Sequence, residues 1–536
     1  MKKLFAFSLL FFSSFLTFGQ VERPKLVVGI VLDQMRWDYL YRYAERFGND
    51  GFKRLMNDGF NCQQTYINYL PTYTAPGHAT IYTGSVPALH GIAANDWIEN
   101  ETKMYCTEDN AVSPVGGSEK AGKMSPKNLL ATTITDELKL ATNFKSKVIG
   151  ISVKDRGSIL PGGHTADAAY WFDASNGHFI SSTFYMESLP SWVQQFNKRN
   201  ITDSLLKIDW TTLFPIDSYM QSTADNNRYE GNLKGAATPT FPHKLNQYIE
   251  KDKGMIRTTP WGNTITRMIA ESAIKEERLG KGLFTDFLAV SFSATDYIGH
   301  YFAPNSIEVE DCYLRMDKEL AAFLNFLDKE IGKGEYTVFL TADHGGAHNV
   351  GFLEDHKIPG KTINAKQINK GLSQIIKSTY GVDSLVRFTN YQIYLNNEKI
   401  KKSKINRNEI VQLINDFLMD RDDVEMVMDM NNLNGTSIPS VLKEMSINGY
   451  NHKRSGEILV IFKPGYYSGY GQTGTTHGSW NPYDTHIPLL FYGWGVKKGS
   501  SFKTYYMTDI APTIAALLHI QVPNACIGNV IEEVLK

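Results

Sequence analysis

Six short apolar runs constrain this chain more than any other feature. Residues 25–32 (KLVVGIVL), 147–153, 287–292 (FLAVSF), 336–341 (YTVFLT), 458–462 (ILVIF) and 486–492 (HIPLLFY) are rich in valine, isoleucine and leucine and lack polar alternation. Runs of this length and character suit strands covered on both faces, as in a parallel sheet. Segments of helical periodicity lie between them, including 308–331, and a late one follows at 508–520. Alternating strands and helices predict an α/β fold: a doubly wound, mostly parallel central sheet flanked by helices. Two stretches break the rhythm, 173–285 (rich in Asn, Ser, Trp and Tyr) and 359–455 (rich in Asn and Lys). They are expected to be cap insertions in one catalytic domain spanning 20–536.

The first residues bear on the compartment. Lys2 and Lys3 precede an apolar stretch, and Gly19 precedes Gln20, the pattern of a secretory signal peptide over 1–19. The competing reading is an N-terminal anchor, but a span needs roughly 20 apolar residues. A periplasmic or secreted protein without stable membrane insertion after cleavage is expected. Its four cysteines then allow two disulfides in three connectivities, with Cys62–Cys106 as the first choice. With 55 basic and 56 acidic residues, the chain has no surplus charge for a nucleic-acid polymer. Anion recognition must therefore be local, and a monomer acting on small molecules is expected.

In open α/β sheets ligands bind beyond the carboxyl ends of the strands. Asp33 follows the first run, while Asp296 and His300 follow 287–292. Asp343 and His344 follow 336–341, and His477 lies in GTTHGSW before the last run. A lone histidine is usually structural, but three aspartates and three histidines on one rim match the chemistry of a metal site. Oxygen and imidazole donors without thiolate suit zinc, and six provide for two Zn2+. Paired cations can grip both the attacking and leaving oxygens of a phosphoryl transfer.

The nucleophile is sought in 71–84, PTYTAPGHATIYTG. Pro76 fits the first turn of a helix, which places Thr74 just before it, where free N–H groups favour an anion. Thr72 competes for the role, and an ordinary helix cap is the plainer reading of Thr74. The spacing to Pro76 favours Thr74. Farther on, Lys154 and Arg156 stand two apart in SVKDRGSILPGG. On an extended turn they would point the same way and match the charge of a phosphate monoester. A solvated turn is the alternative.

Taken together, PTYTAPGH, ATDYIGH (294–300), TADHG (341–345) and THG (476–478) resemble the alkaline phosphatase superfamily, particularly its nucleotide pyrophosphatase-like half. The resemblance implies one zinc held by Asp296, His300 and His477. It implies a second held by Asp33, Asp343 and His344, with Thr74 on its open side. His486 is left out because it starts an apolar strand, His348 and His356 are assigned to the border or surface, and His78 resembles a structural histidine beside the nucleophile. The Lys154–Arg156 pair and Asn95, in ANDW, resemble the phosphate-binding groups of the monoesterase branch. The serine and third, magnesium site of better-known members are missing. The implied activity is hydrolysis of small phosphate monoesters through a phospho-threonine. A phosphodiesterase on the same scaffold is the alternative, and an inactive exported binding protein is a remoter one. A sulfatase is disfavoured because its formylglycine requires Cys or Ser at position 74.

Overall fold

The computed structural model describes residues 21–99, 101–433, 437–469 and 471–536; the expected signal peptide lies outside them. An eleven-stranded sheet forms the centre. Five neighbouring strands run parallel in the order Tyr336–Thr341, Leu26–Leu32, Asp286–Phe292, Val148–Ser152 and Ala168–Asp173. The first four are buried along their whole length, because helices cover both faces. Antiparallel strands extend either edge, Leu489–Gly493 on one side and His178–Ser182 on the other. Pro488 separates the expected last run into His486–Ile487 and Leu489–Gly493. Among the described residues no helix is long and apolar enough to cross a membrane.

The strand at Ile458–Phe462 corrects one expectation. It lies in a separate four-stranded antiparallel sheet with Val386–Thr389, Gln392–Leu395 and Val424–Asp429. Its unbroken apolar character has the same physical cause as in the main sheet. Ile458, Val460 and Phe462 pack with Ile368, Leu372 and Ile414, while Leu459 and Ile461 pack with Leu70, Met428 and Met445. A strand covered on both faces looks alike in sequence whichever sheet holds it. In the earlier stretch, His178–Ser182 joins the main sheet and the helix Trp261–Glu276 contacts its strands, so parts of 173–285 belong to the central layers.

The cysteines correct another expectation. All four are free thiols. Cys62 is packed in the main core, whereas Cys106 belongs to a separate cluster around Ala75, Ala79 and Trp97. Burial pushes both thiols up in pKa, leaving them as small apolar fillers.

Candidate active site

Four adjacent parallel strands end at the site, and each delivers polar groups from its carboxyl end. Asp33 directly follows Leu26–Leu32. Asp343 and His344 follow Tyr336–Thr341, and Lys154 follows Val148–Ser152. Asp296 and His300 lie one helical turn apart on Ala294–Phe302, immediately after Asp286–Phe292. Only His477 arrives from a distant loop. Two ligand-type groups satisfy close mutual geometry: Asp296, His344 and His477, and Asp33, Asp343 and His344. His300 joins the first through its Nε2, 3.2 Å from Asp296 Oδ1. The six residues therefore form one cluster, buried except for the partly exposed His300, with His344 between its halves.

The imidazoles share one orientation. His344 Nδ1 lies 2.9 Å from the Gly345 carbonyl, His300 Nδ1 2.8 Å from that of Thr475, and His477 Nδ1 2.7 Å from that of Thr72. A carbonyl can only accept, so each Nδ1 carries a proton and each Nε2 is the nitrogen that faces the cluster. This is how proteins orient histidines toward metals. Burial holds His344 neutral, lowering it to about 4, and with help from His344 and His300 holds His477 well below the usual imidazole range. Oδ1 of Asp33 and Oδ2 of Asp343 are buried without a hydrogen-bond partner. Unsatisfied buried carboxylate oxygens are costly. Facing three inward Nε2 atoms, they fit divalent cations.

A protein cation also touches this cluster. Lys154 Nζ lies 2.6 Å from Asp296 Oδ2 and 2.7 Å from Asp33 Oδ2. Burial opposes its charge, but the two carboxylates outweigh burial and raise its pKa. Burial, reinforced by Asp343, lifts the Asp33 carboxyl to about 6. Gln34, which the sequence reading passed over, donates from Nε2 to Asp296 Oδ1 at 2.8 Å, and its backbone N–H donates to Asp343 Oδ1. It holds both halves in register from a backbone with φ of 64°. Its one sequence signal is its place directly after Asp33.

Thr74 is the first residue of the helix Thr74–Thr83, and Tyr73 occupies the cap, which sets aside the ordinary-cap reading. The Thr74 hydroxyl lies 3.3 Å from His344 Nε2. Thr72 instead donates to the Ser479 carbonyl. Asn95 Oδ1 accepts from the Ala75 N–H at 2.8 Å, which fixes its amide beside Thr74. His78 bonds the Thr74 carbonyl and Ser291 Oγ through its two nitrogens, bracing the first turn of the helix. Lys154 caps the helix Asp155–Gly162 and Arg156 sits inside its first turn, so the pair is not an extended turn. Lys154 reaches the carboxylates, while Arg156 Nη1 is held at 3.1 Å by the Tyr105 hydroxyl. Tyr105 was not singled out by sequence, and nothing local marks it.

The remaining histidines lie apart from this centre. His486 stacks between Trp37 and Tyr66 and bonds the Gln63 carbonyl. His348 contacts Arg36 and Asn305, and His356 bonds the Phe352 carbonyl.

Residues 27–484 match the type I phosphodiesterase / nucleotide pyrophosphatase family. A protein of Myroides odoratus named a calcium-transporting ATPase is 54% identical over 96% of this chain and 96% of its own. Alkaline phosphatase PhoV of Synechococcus elongatus is 52% identical over 96% of this chain and 94% of its own. Alkaline phosphatase PafA of Elizabethkingia meningoseptica is 50% identical over 96% and 95%. The crystal structure of PafA superposes with a TM-score of 0.95, at 49% identity, over 96% of this chain and all of that one.

Proposed function

The chain belongs to the type I phosphodiesterase / nucleotide pyrophosphatase family and is a PafA-like alkaline phosphatase, a phosphoric monoester hydrolase, and from that premise we propose how its residues perform the reaction. One Zn2+ would be held by Asp296, His300 and His477, the other by Asp33, Asp343 and His344. The observation that carries this is the inward set of three imidazole Nε2 atoms against the buried carboxylates, of which Asp33 Oδ1 and Asp343 Oδ2 have no hydrogen-bond partner. When bound, the two cations supply Lewis acidity, which lowers the pKa of a hydroxyl and neutralises charge on phosphoryl oxygens.

Thr74 is the nucleophile. The first-turn position puts it at the positive end of its helix, and its hydroxyl lies 3.3 Å from His344 Nε2, which would hold a cation. Thr74 Oγ forms a bond to phosphorus as the bond to the leaving oxygen breaks. Water then cleaves the phospho-threonine, which releases inorganic phosphate and restores the hydroxyl. Asn95, with its Oδ1 occupied by Ala75, presents its amide N–H groups to a non-bridging oxygen. Lys154 and Arg156 oppose the dianionic charge that distinguishes a monoester from a diester. Such fixed charges need no reorganisation during reaction. The relatives named phosphatases and the one named an ATPase share a chemical denominator, transfer of a terminal phosphoryl group to water. The leader-like N-terminus supports export, and small monoesters acted on by a monomer remain the proposed setting.

The test combines metal analysis with an ester panel. Chelation abolishes turnover and zinc restores it, with two equivalents bound. A Lys154→Ala, Arg156→Ala variant loses far more aryl monoesterase than diesterase activity. Full activity in the metal-free protein, or a strong diester preference in the parent chain, overturns the proposal.

A further inference from the structure

A cleft of about 890 Å³ opens beside Lys154 and Arg156, with Tyr105, Trp171, Arg257 and Tyr297 among its walls. Lys154, whose ammonium touches Asp33 and Asp296, also lines this cleft, so the cleft borders the proposed metal centre. Lys154 Nζ lies 5.1 Å from the Tyr297 ring centroid, and the Arg257 guanidinium lies 5.0 Å from the same centroid. One aromatic ring thus separates the cation at the phosphoryl site from a further cation in the cleft. Arg257 Nη1 donates to the Tyr297 hydroxyl at 3.2 Å and Nε to the Gly254 carbonyl. These bonds aim the guanidinium without neutralising it, because Arg257 has no carboxylate within 4.0 Å among the described residues.

The acids of the cleft are engaged elsewhere: Glu108 accepts from the Asn110 amide and Glu119 pairs with Lys123. Asp155 accepts from the Tyr105 and Thr107 hydroxyls, and Asp173 accepts from the Ser118 and Ser175 N–H groups. An arginine presented in a partly enclosed cleft and matched by no acid suits a bound anion.

We propose that this cleft receives the leaving group and that Arg257 binds a second phosphate carried on it. The favoured class would be substrates with a terminal phosphoryl group on a further phosphate, such as nucleoside di- and triphosphates. This rests on the function proposed above and leaves its chemistry unchanged. Thr74 Oγ takes the terminal phosphoryl group and releases its proton to solvent, and the bridging oxygen departs as an anion on the shortened phosphate. Water then releases inorganic phosphate and regenerates Thr74. Arg257 acts on binding, so its signature lies in KM.

The test compares ATP with phenyl phosphate for the zinc-loaded parent, Arg257→Met and Arg257→Lys. Methionine keeps the side-chain stem against Tyr297, and lysine restores the charge. One charge-assisted contact corresponds to roughly tenfold or more, so Arg257→Met loses about that factor in kcat/KM for ATP, mainly through KM. Its phenyl phosphate turnover stays within about twofold, which also demonstrates folding, and lysine recovers part of the ATP loss. Equal losses on both substrates, or no loss on either, overturn the inference and leave the phosphatase reading intact. A parent enzyme that hydrolyses neither substrate overturns that reading as well.

Discussion

Lys154 spans the two halves of the site, with its ammonium 2.7 Å from Asp33 and 2.6 Å from Asp296. In the metal-free protein it is the cation those buried carboxylates share. Removing one partner of a buried ion pair costs about 3–5 kcal/mol. Lys154→Met should therefore lower metal-free stability by about that amount in urea unfolding. Lysine also competes with a divalent cation for the same oxygens, so chelator competition should show zinc bound at least as tightly by the variant. Weaker zinc binding would mean that Lys154 supports the metals instead.

Thr74→Ala should reduce monoester turnover by more than about a hundredfold, the scale expected when a nucleophile is lost. The fold should persist, since the helix keeps Tyr73 as its cap. Thr74→Ser should retain measurable activity. Acid quench with labelled substrate should trap phosphate on Thr74 in the parent chain, and label elsewhere would contradict the assignment.

Gly77 lies where the nucleophile helix crosses the metal-binding loop. An added Cβ would sit 2.5 Å from the Asp343 carbonyl oxygen and 2.7 Å from Asp343 Cβ. Gly77→Ala must push Thr74 and Asp343 apart, an overpacking that costs about 1–3 kcal/mol. Thermal unfolding should show the loss, and kcat should fall although no donor atom has been removed. Unchanged kcat would show that the spacing is not critical.

Tyr105 positions Arg156: its hydroxyl lies 2.8 Å from Asp155 Oδ1 and 3.1 Å from Arg156 Nη1. Tyr105→Phe should raise KM for phosphate monoesters by about threefold to tenfold, the worth of one hydrogen bond acting through a neighbour, with little effect on diester turnover. Arg156→Lys should not mimic it, since lysine cannot present the planar fork. Equal effects on both ester classes would count against a positioning role.

His90 makes stability depend on pH away from the metal centre. It is fully buried, bonded to Thr80 Oγ1 and the Ile92 N–H, and burial lowers its pKa from 6.5 to about 3. The unfolded chain protonates first on acidification. His90 thus contributes its full stability above about pH 6.5 and loses it as pH falls toward 3, by up to about 1.4 kcal/mol per pH unit. Urea unfolding of His90→Gln should show a flatter dependence over that window; an identical slope would rule out His90 as the source.

Residue type and local spacing were enough to announce the alternation of strands and helices. They also placed Asp33, Lys154, Asp296, Asp343 and His344 at or just beyond strand ends, because period and chain order belong to neighbouring residues. They could not say which sheet holds Ile458–Phe462, since burial on both faces produces the same apolar run anywhere. Nor could they keep Cys62 apart from Cys106, mark Gln34 as the link between carboxylates, or show Tyr105 steadying Arg156 from 51 positions away. Those facts depend on which distant surfaces meet when the sheet and its helices close over one another, and only the folded chain decides that.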